Sequence, residues 1–270
     1  MSTAGIPDVL ARIADDRRRR TAELQRATPA HMLRQRLGAA PPAGRLERAL
    51  RREPGGALRM ICEIKRRSPS KGLLRETVDP AALAATYQAG GAAAISVVTE
   101  PDHFGGDLAW IDAVRAATTL PVLLKDFVVD DWQLTDAAVR GADAVLLIVA
   151  MHSDVALQRL ISAARLLGLD ALVEVHTLAE LQLALRAGAT VVGINNRDLH
   201  TFDVDLGTSL ALLPKLPPQV ATVAESGLST PDDLARLRAT RCDAVLMGEV
   251  FMTSADPAAT LQRLAEAARG

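Results

Sequence analysis

From residue 58 to its end the chain repeats one unit eight times: a short apolar run, a polar loop and a helical stretch. The runs are Leu58–Ile64, Ala93–Val98, Pro121–Lys125, Ala144–Ile148, Ala171–Val175, Val191–Ile194, Val220–Ala224 and Ala244–Met247. They are nearly uninterrupted and rich in Val, Ile, Leu and Ala, the pattern of parallel strands buried on both faces. Helix-entry signals follow them at Asp79-Pro80, Asp130-Asp131, Ser153-Asp154, Thr177 and Ser229-Thr230-Pro231-Asp232. Their side-chain oxygens can accept from the free N–H groups of a first helical turn. Gly90-Gly91, Gly141, Gly168 and Gly188 stand where helices should stop, and Asp256-Pro257 opens a last helix. Eight such units in about 210 residues predict an α/β fold, a (β/α)8 TIM barrel. A doubly wound open sheet fits less well. It needs fewer units, and no G-x-G-x-x-G follows the first run.

Residues 1–48 carry no strand pattern. Ile6–Leu24 and Pro29–Leu37 read as helices, with Pro41-Pro42-Ala43-Gly44 as a hinge. The segment is too short for its own core. It is therefore expected to be an N-terminal helical extension packed on a barrel of residues 49–270, one domain in all. Net charge is −1, so no global field draws the chain to nucleic acid or membrane. The basic run Arg17–Arg20 follows Asp15 and Asp16 at helical spacing and reads as a solvated helix face. Cys62 and Cys242 sit inside apolar runs and read as reduced core residues. The five histidines are scattered without metal-ligand spacing, so no metal is expected. With no signal-peptide pattern and no bilayer-spanning apolar stretch, a cytoplasmic protein is expected. Oligomeric state leaves no trace in the sequence; the expectation is a monomer or weak homodimer.

Function in such a barrel belongs to the C-terminal ends of the strands. There the apolar runs each deliver a charged or amide side chain: Glu63 and Lys65, Lys125-Asp126-Phe127, Glu174, Asn195-Asn196-Arg197-Asp198, Glu225-Ser226-Gly227 and Gly248-Glu249. A single one of these could be a structural ion pair. Buried charge is costly unless it is paired or used, and a full set at one end argues for use. Gly227 and Gly248 follow the seventh and eighth runs, where barrels often seat a phosphate on backbone N–H groups; the alternative is plain turn residues. Ser68, after the first run, can add a hydroxyl. Its loop, Arg66 to Leu74, is longer than most strand-to-helix connections and is expected to order when an anionic ligand arrives.

Taken in order, the segments CEIKRRSPSKG, PVLLKDFVVDDWQ, GADAVLLI, LVEVHT, GINNRDL, VAESG and VLMGE resemble the indole-3-glycerol-phosphate synthase family of tryptophan biosynthesis, from about residue 6 to the end. The resemblance implies a barrel with an extra N-terminal helical segment. It implies a phosphorylated small-molecule substrate, 1-(2-carboxyphenylamino)-1-deoxy-D-ribulose 5-phosphate, whose indole ring closes with loss of carbon dioxide and water. No metal or organic cofactor is implied. Glu63 and Lys65 would face the reacting end of the substrate, and Ser68 its phosphate. Lys125 would be the general acid, with a pKa lowered by desolvation and by Lys65. Glu174 would serve the dehydration as acid or base, with Glu63 close by and Asn195 orienting hydroxyls. Lys65 and Arg197 suit the anionic groups. Glu225, Ser226, Gly227, Gly248 and Glu249 would complete the substrate and phosphate seat. Phe127 and Phe104 would wall the anthranilate ring, although Phe104 fits simple core packing nearly as well. Which lysine donates at which step stays open.

The sequence departs from the family pattern at Asp107, Trp132 and Glu249. The first two are peripheral; Glu249 leaves only a backbone N–H where some members have a serine hydroxyl. Two rival readings differ in chemistry. A phosphosugar isomerase on the same barrel would use an Asp or Cys acid–base pair at strand ends, but Cys62 and Cys242 precede those ends. A non-catalytic phosphometabolite binder would not need Lys125 and Glu174 together.

Overall fold

The computed structural model describes residues 8–270, so the expected helix start at Ile6 lies outside the described residues. Eight strands form a closed parallel barrel: β1 (Arg59–Ile64), β2 (Ala94–Val98), β3 (Val122–Lys125), β4 (Ala144–Ile148), β5 (Asp170–Val175), β6 (Val191–Asn195), β7 (Ala221–Glu225) and β8 (Ala244–Met247). β8 pairs back onto β1, with Arg59 opposite Ala244. The two-residue period of a strand sorts the apolar residues into two layers. Ile61, Leu123, Leu146, Leu172, Val191, Val223 and Leu246 fill the barrel interior. Their chain neighbours, among them Cys62, Leu124, Val145, Val173, Val192 and Val245, face outward under the helices. Each expected strand is present, with ends moved by a residue at most.

The surrounding helices are α4 (Pro80–Ala89), α5 (Ala109–Ala117), α6 (Asp131–Val139), α7 (Asp154–Leu166), α8 (Leu178–Arg186), α9 (Gly207–Leu212), α10 (Pro231–Arg238), α11 (Glu249–Met252) and α12 (Pro257–Arg269). Asp79, Asp130, Ser153, Thr177, Thr230 and Asp256 cap them by accepting backbone N–H groups of the first turn. Gly141, Gly168 and Gly188 follow α6, α7 and α8 with φ of 82°, 77° and 87°, the left-handed turn of a helix stop.

Three helices precede the barrel: α1 (Asp8–Ala27), α2 (Ala30–Arg36) and α3 (Arg45–Leu50). α1 lies over the C-terminal mouth, with Leu10 and Ala14 packed against Ile148 and Met151. Arg17 corrects the expectation of a wholly solvated basic run. It is 3% exposed, and its guanidinium donates to both oxygens of Asp126 at 2.8 and 2.7 Å. Thr99 Oγ1 donates to the same carboxylate at 2.6 Å. Arg18, Arg19 and Arg20 are exposed as expected. α2 runs beside α6, where Trp132 Nε1 donates to the Thr28 carbonyl. α3, not anticipated in the sequence, plugs the opposite end of the barrel. Leu46 and Leu50 are fully buried there with Ile61, Leu123 and Ala221. Asp170, at the base of β5, accepts the Glu47 N–H at 3.0 Å. The N-terminal segment thus straps the barrel from mouth to base. Among the described residues no helix is long and apolar enough to cross a membrane.

Candidate active site

The alternation that packs the barrel also builds the site. On β1, β3, β5 and β7 the inward positions Ile61, Leu123, Leu172 and Val223 are each followed, two residues on, by Glu63, Lys125, Glu174 and Glu225. On β6 the same register runs Val191, Gly193, Asn195. An apolar core below therefore becomes a charged ring at the mouth. The residues given catalytic or binding roles from the sequence line one cavity of about 740 Å³ at this end; of the other strand-end residues, Asn196 and Asp198 stay outside it, Asn196 donating to the Glu225 carbonyl and accepting from Ser209.

Lys125 Nζ is at the centre of the ring, 2.9 Å from Glu225 Oε2, 3.7 Å from Glu63 Oε2 and 3.8 Å from Glu174 Oε2. Lys65 Nζ pairs with Glu63 Oε1 at 2.7 Å. Asn195 Nδ2 donates to Glu174 Oε1 at 3.1 Å, and the Arg197 N–H donates to Asn195 Oδ1 at 3.0 Å, which fixes the amide's orientation. Two glycines make room. A Cβ on Gly193 would overlap Glu225 Oε1, and one on Gly248 would come within 2.7 Å of Glu63 Oε1.

The ring overturns the expected acidity of Lys125. Burial alone would lower its pKa, but Glu225, Glu63 and Glu174 outweigh burial and hold it above the ordinary lysine value. Lys65 is itself paired with Glu63. The carboxylates are differentiated. Burial favours a protonated Glu63, yet Lys65 and Lys125 prevail and lower its pKa. At Glu225 burial wins over Lys125, Glu174 adds repulsion, and the pKa is pushed up to about 7. Glu225 Oε1 is buried without a hydrogen-bond partner.

Across the cavity lies a glycine-lined seat. Ser226 and Gly227 both take left-handed backbone, with φ of 67° and 72°. That is uncommon for a serine and turns this stretch of backbone sharply at the rim. Val204, from the loop after β6, packs against Gly227 so closely that any Cβ there would overlap it. Gly248 caps the short α11, and Glu249 begins it. Arg197 Nη1 donates to the Phe202 carbonyl at 2.9 Å. Ser68 Oγ accepts the Lys71 N–H at 3.2 Å. Lys71 Nζ is 3.8 Å from Glu249 Oε1, both exposed at the rim. The loop after β1 holds a small hairpin, Arg67–Ser68 against Gly72–Leu73.

Phe104 and Phe127 stack obliquely, with ring centroids 5.8 Å apart and planes at 40°. The Glu100 carboxylate accepts the N–H groups of Asp102, His103 and Phe104 and so fixes the Phe104 loop. The sequence reading missed Val9, Leu10 and Ile13 of α1, which close the cavity from above. Their spacing, one helical turn apart, was the available signal. Cys62 faces outward into the helix layer, which removes a cysteine acid–base pair from consideration. Asp107 accepts the Ala109 N–H at the start of α5 and, like Trp132, stays outside the cavity.

A closed (β/α)8 barrel with a ring of lysines and carboxylates at its C-terminal mouth defines an enzyme of the TIM-barrel class. Within that class, the family model for indole-3-glycerol phosphate synthase matches residues 10–264, and the chain belongs to that family. It is 47% identical over 259 residues to indole-3-glycerol phosphate synthase 1 of Streptomyces coelicolor, covering 96% of this chain and 95% of that protein. It is 43% identical over 247 residues to the indole-3-glycerol phosphate synthase of Chlorobium phaeovibrioides, covering 92% and 95%. Among solved structures, 3-hexulose-6-phosphate synthase from Salmonella typhimurium superposes with a TM-score of 0.64 at 16% identity, over 78% of this chain and 98% of that one. At that identity the likeness concerns the barrel alone.

Proposed function

We infer that the protein is an indole-3-glycerol-phosphate synthase, closing the indole ring of 1-(2-carboxyphenylamino)-1-deoxy-D-ribulose 5-phosphate with loss of carbon dioxide and water. The observation that carries this reading, beside family membership, is the Lys125 ammonium ringed by Glu63, Glu174 and Glu225 next to an aromatic wall. Ring closure begins when the aryl carbon bearing the carboxylate attacks the ketone. The carbonyl π pair moves to oxygen, which takes a proton from Lys125 Nζ. The surrounding carboxylates keep Lys125 protonated and make it a weaker acid, yet donation remains downhill because an alkoxide is a far stronger base than an amine. Carbon dioxide then leaves and the ring regains aromaticity. In dehydration the departing hydroxide takes a proton from Lys65 and leaves as water, and the nitrogen that expels it must lose one. Glu174, aimed by Asn195, accepts the nitrogen proton. The Lys65–Glu63 pair lies at the same end, and Lys65 with Arg197 meets the anionic groups of the substrate.

Phe104 and Phe127 take the anthranilate ring. The phosphate is seated by Ser68, Ser226 and the backbone N–H groups around Gly227, Gly248 and Glu249. The reading uses no metal or organic cofactor and a monomeric or weakly dimeric cytoplasmic protein, with residues 1–48 an extension of one barrel domain. The test is turnover of the substrate followed by the fluorescence of the indole product, in the wild type and in Lys125→Met. The variant should lose about 10²–10⁴ in kcat while still binding substrate. Wild-type kcat in Lys125→Met removes Lys125 from the mechanism, and no indole product from the wild type refutes the assignment.

A further inference from the structure

Glu174 has a neighbour that the reaction above leaves unused. His176 stands two residues on, where β5 gives way to α8. Its backbone N–H donates to Glu180 Oε2 at 2.6 Å, and its Nδ1 lies 3.2 Å from the same oxygen. Glu180 is itself anchored: its N–H donates to Thr177 Oγ1 in the first turn of α8. A carboxylate beside Nδ1 assigns a proton to that nitrogen. The opposite nitrogen, Nε2, is buried, has no hydrogen-bond partner and lies 3.6 Å from Glu174 Oε1. The other oxygen of Glu174 faces Lys125.

The groups facing the imidazole are acids from each neighbouring element: Glu174 on β5, Glu180 on α8, Glu225 on β7 and, farther out, Asp198 in the loop after β6. Burial opposes a charged imidazole, but Glu180, Glu174 and Glu225 together raise its pKa. Glu180 is lowered in turn, since His176 outweighs its burial. Nδ1 thus meets Glu180 and Nε2 is directed at Glu174, so each ring nitrogen has a carboxylate to which it can donate. Contacts of this kind are often long in an unliganded site and tighten in the complex.

We propose that His176 is a positioning residue: the Glu180–His176 pair presents Nε2–H to Glu174 Oε1 and holds that carboxylate turned, with its other oxygen toward Lys125 and the reacting end of the cavity. The proposal rests on the reading of Glu174 as acceptor of the nitrogen proton. Asn195 grips the same Oε1 from β6, so the two contacts fix the carboxylate plane from two sides.

The experiment compares His176→Asn, His176→Gln, Glu174→Gln and the double variant Glu174→Gln/His176→Asn, with folding checked by thermal unfolding. Asparagine keeps a polar group near Glu180 but does not reach Glu174; glutamine places an amide N–H near the Nε2 position. His176→Asn should lower kcat about tenfold with little change in KM, by analogy with the roughly 10–100-fold cost of losing a partner that orients a metal-ligating side chain. His176→Gln should recover most of the rate, and His176→Asn should cost nothing further in the Glu174→Gln background. Wild-type kcat for His176→Asn, no recovery of rate in His176→Gln, or an equal loss in both backgrounds overturns the proposal while leaving the role of Glu174 intact. Wild-type turnover by Glu174→Gln instead overturns the parent reading, and the proposal with it. Should His176→Asn fail to fold, Glu180→Gln carries the same comparison, and an unchanged kcat there is equally decisive against it.

Discussion

Glu225→Gln should stabilise the protein above neutral pH relative to acid pH, and slow its reaction. Glu225 is 1% exposed, and one of its oxygens has no hydrogen-bond partner. Burial, moderated by Lys125 and reinforced by Glu174, raises its pKa from 4.5 to about 7. Such a group binds its proton more tightly in the folded than in the unfolded chain. Folding is unpenalised below pH 4.5, penalised progressively up to pH 7, and carries the full penalty above it. At about 1.4 kcal/mol for each pH unit, the full penalty is about 3 kcal/mol. Glutamine keeps the shape and an oxygen for Lys125, and it removes the titration. Its amide nitrogen has no acceptor in the orphaned position, which costs about 1–3 kcal/mol at every pH. The difference between two pH values is therefore the readout. Measured as urea midpoints, the variant should gain about 2–3 kcal/mol on the wild type between pH 5 and pH 8. An identical midpoint difference at both pH values would refute the reasoning, since Lys125 would then offset the burial of Glu225 in full. Turnover should fall in the variant because the Lys125 ammonium exchanges its charged 2.9 Å anchor for a neutral one.

Three further outcomes can be checked. Arg17→Met should cost about 3 kcal/mol in urea unfolding, because it leaves Asp126 charged and buried; adding Asp126→Asn should restore most of that loss, and no restoration would show that the pair matters only through packing. Substrate without its phosphate should show both a higher KM and a lower kcat, because binding at the glycine seat holds the distant reacting end; an unchanged kcat/KM would dissociate Ser68, Gly227 and Gly248 from substrate. Trypsin should cut at Arg66, Arg67 and Lys71 more slowly when product saturates the site, compared at matched global stability. Equal rates would show that the hairpin after β1 is already in its final form.

The barrel was legible because its rules are local. Two-residue and 3.6-residue periods, capping side chains and stop glycines each act within a few positions, and the strands fell within a residue of expectation. Site residues were legible for a related reason: charge at the end of an apolar strand needs little more than strand direction to be placed. Their chemistry was less so. The sequence set Lys125 beside Lys65, but the three acids that dominate its surroundings come from β1, β5 and β7 and meet only when the sheet closes. Arg17 looked solvated because its partner is 109 positions away. The α3 plug escaped because nothing nearby in sequence reveals the open base of a barrel. The reaction itself came from the family resemblance, not from periodicity.

The strap from mouth to base bears on how the chain is made. Residues 8–50 are synthesised before every barrel strand, yet α3 packs against β1, β2, β5 and β7, and the last of these ends at Glu225. At roughly 5–20 residues per second, α3 waits about ten to thirty-five seconds for its seat to be complete. Throughout that time Leu10, Ile13, Leu46 and Leu50 lack the partners that bury them in the finished fold. A segment synthesised ahead of the whole barrel is thus among the last to be seated, and the roof of the cavity arrives with it. A nascent chain that already carries Lys125 and Glu174 has neither a closed ring nor a covered mouth, so the reactive constellation is assembled only in the completed molecule.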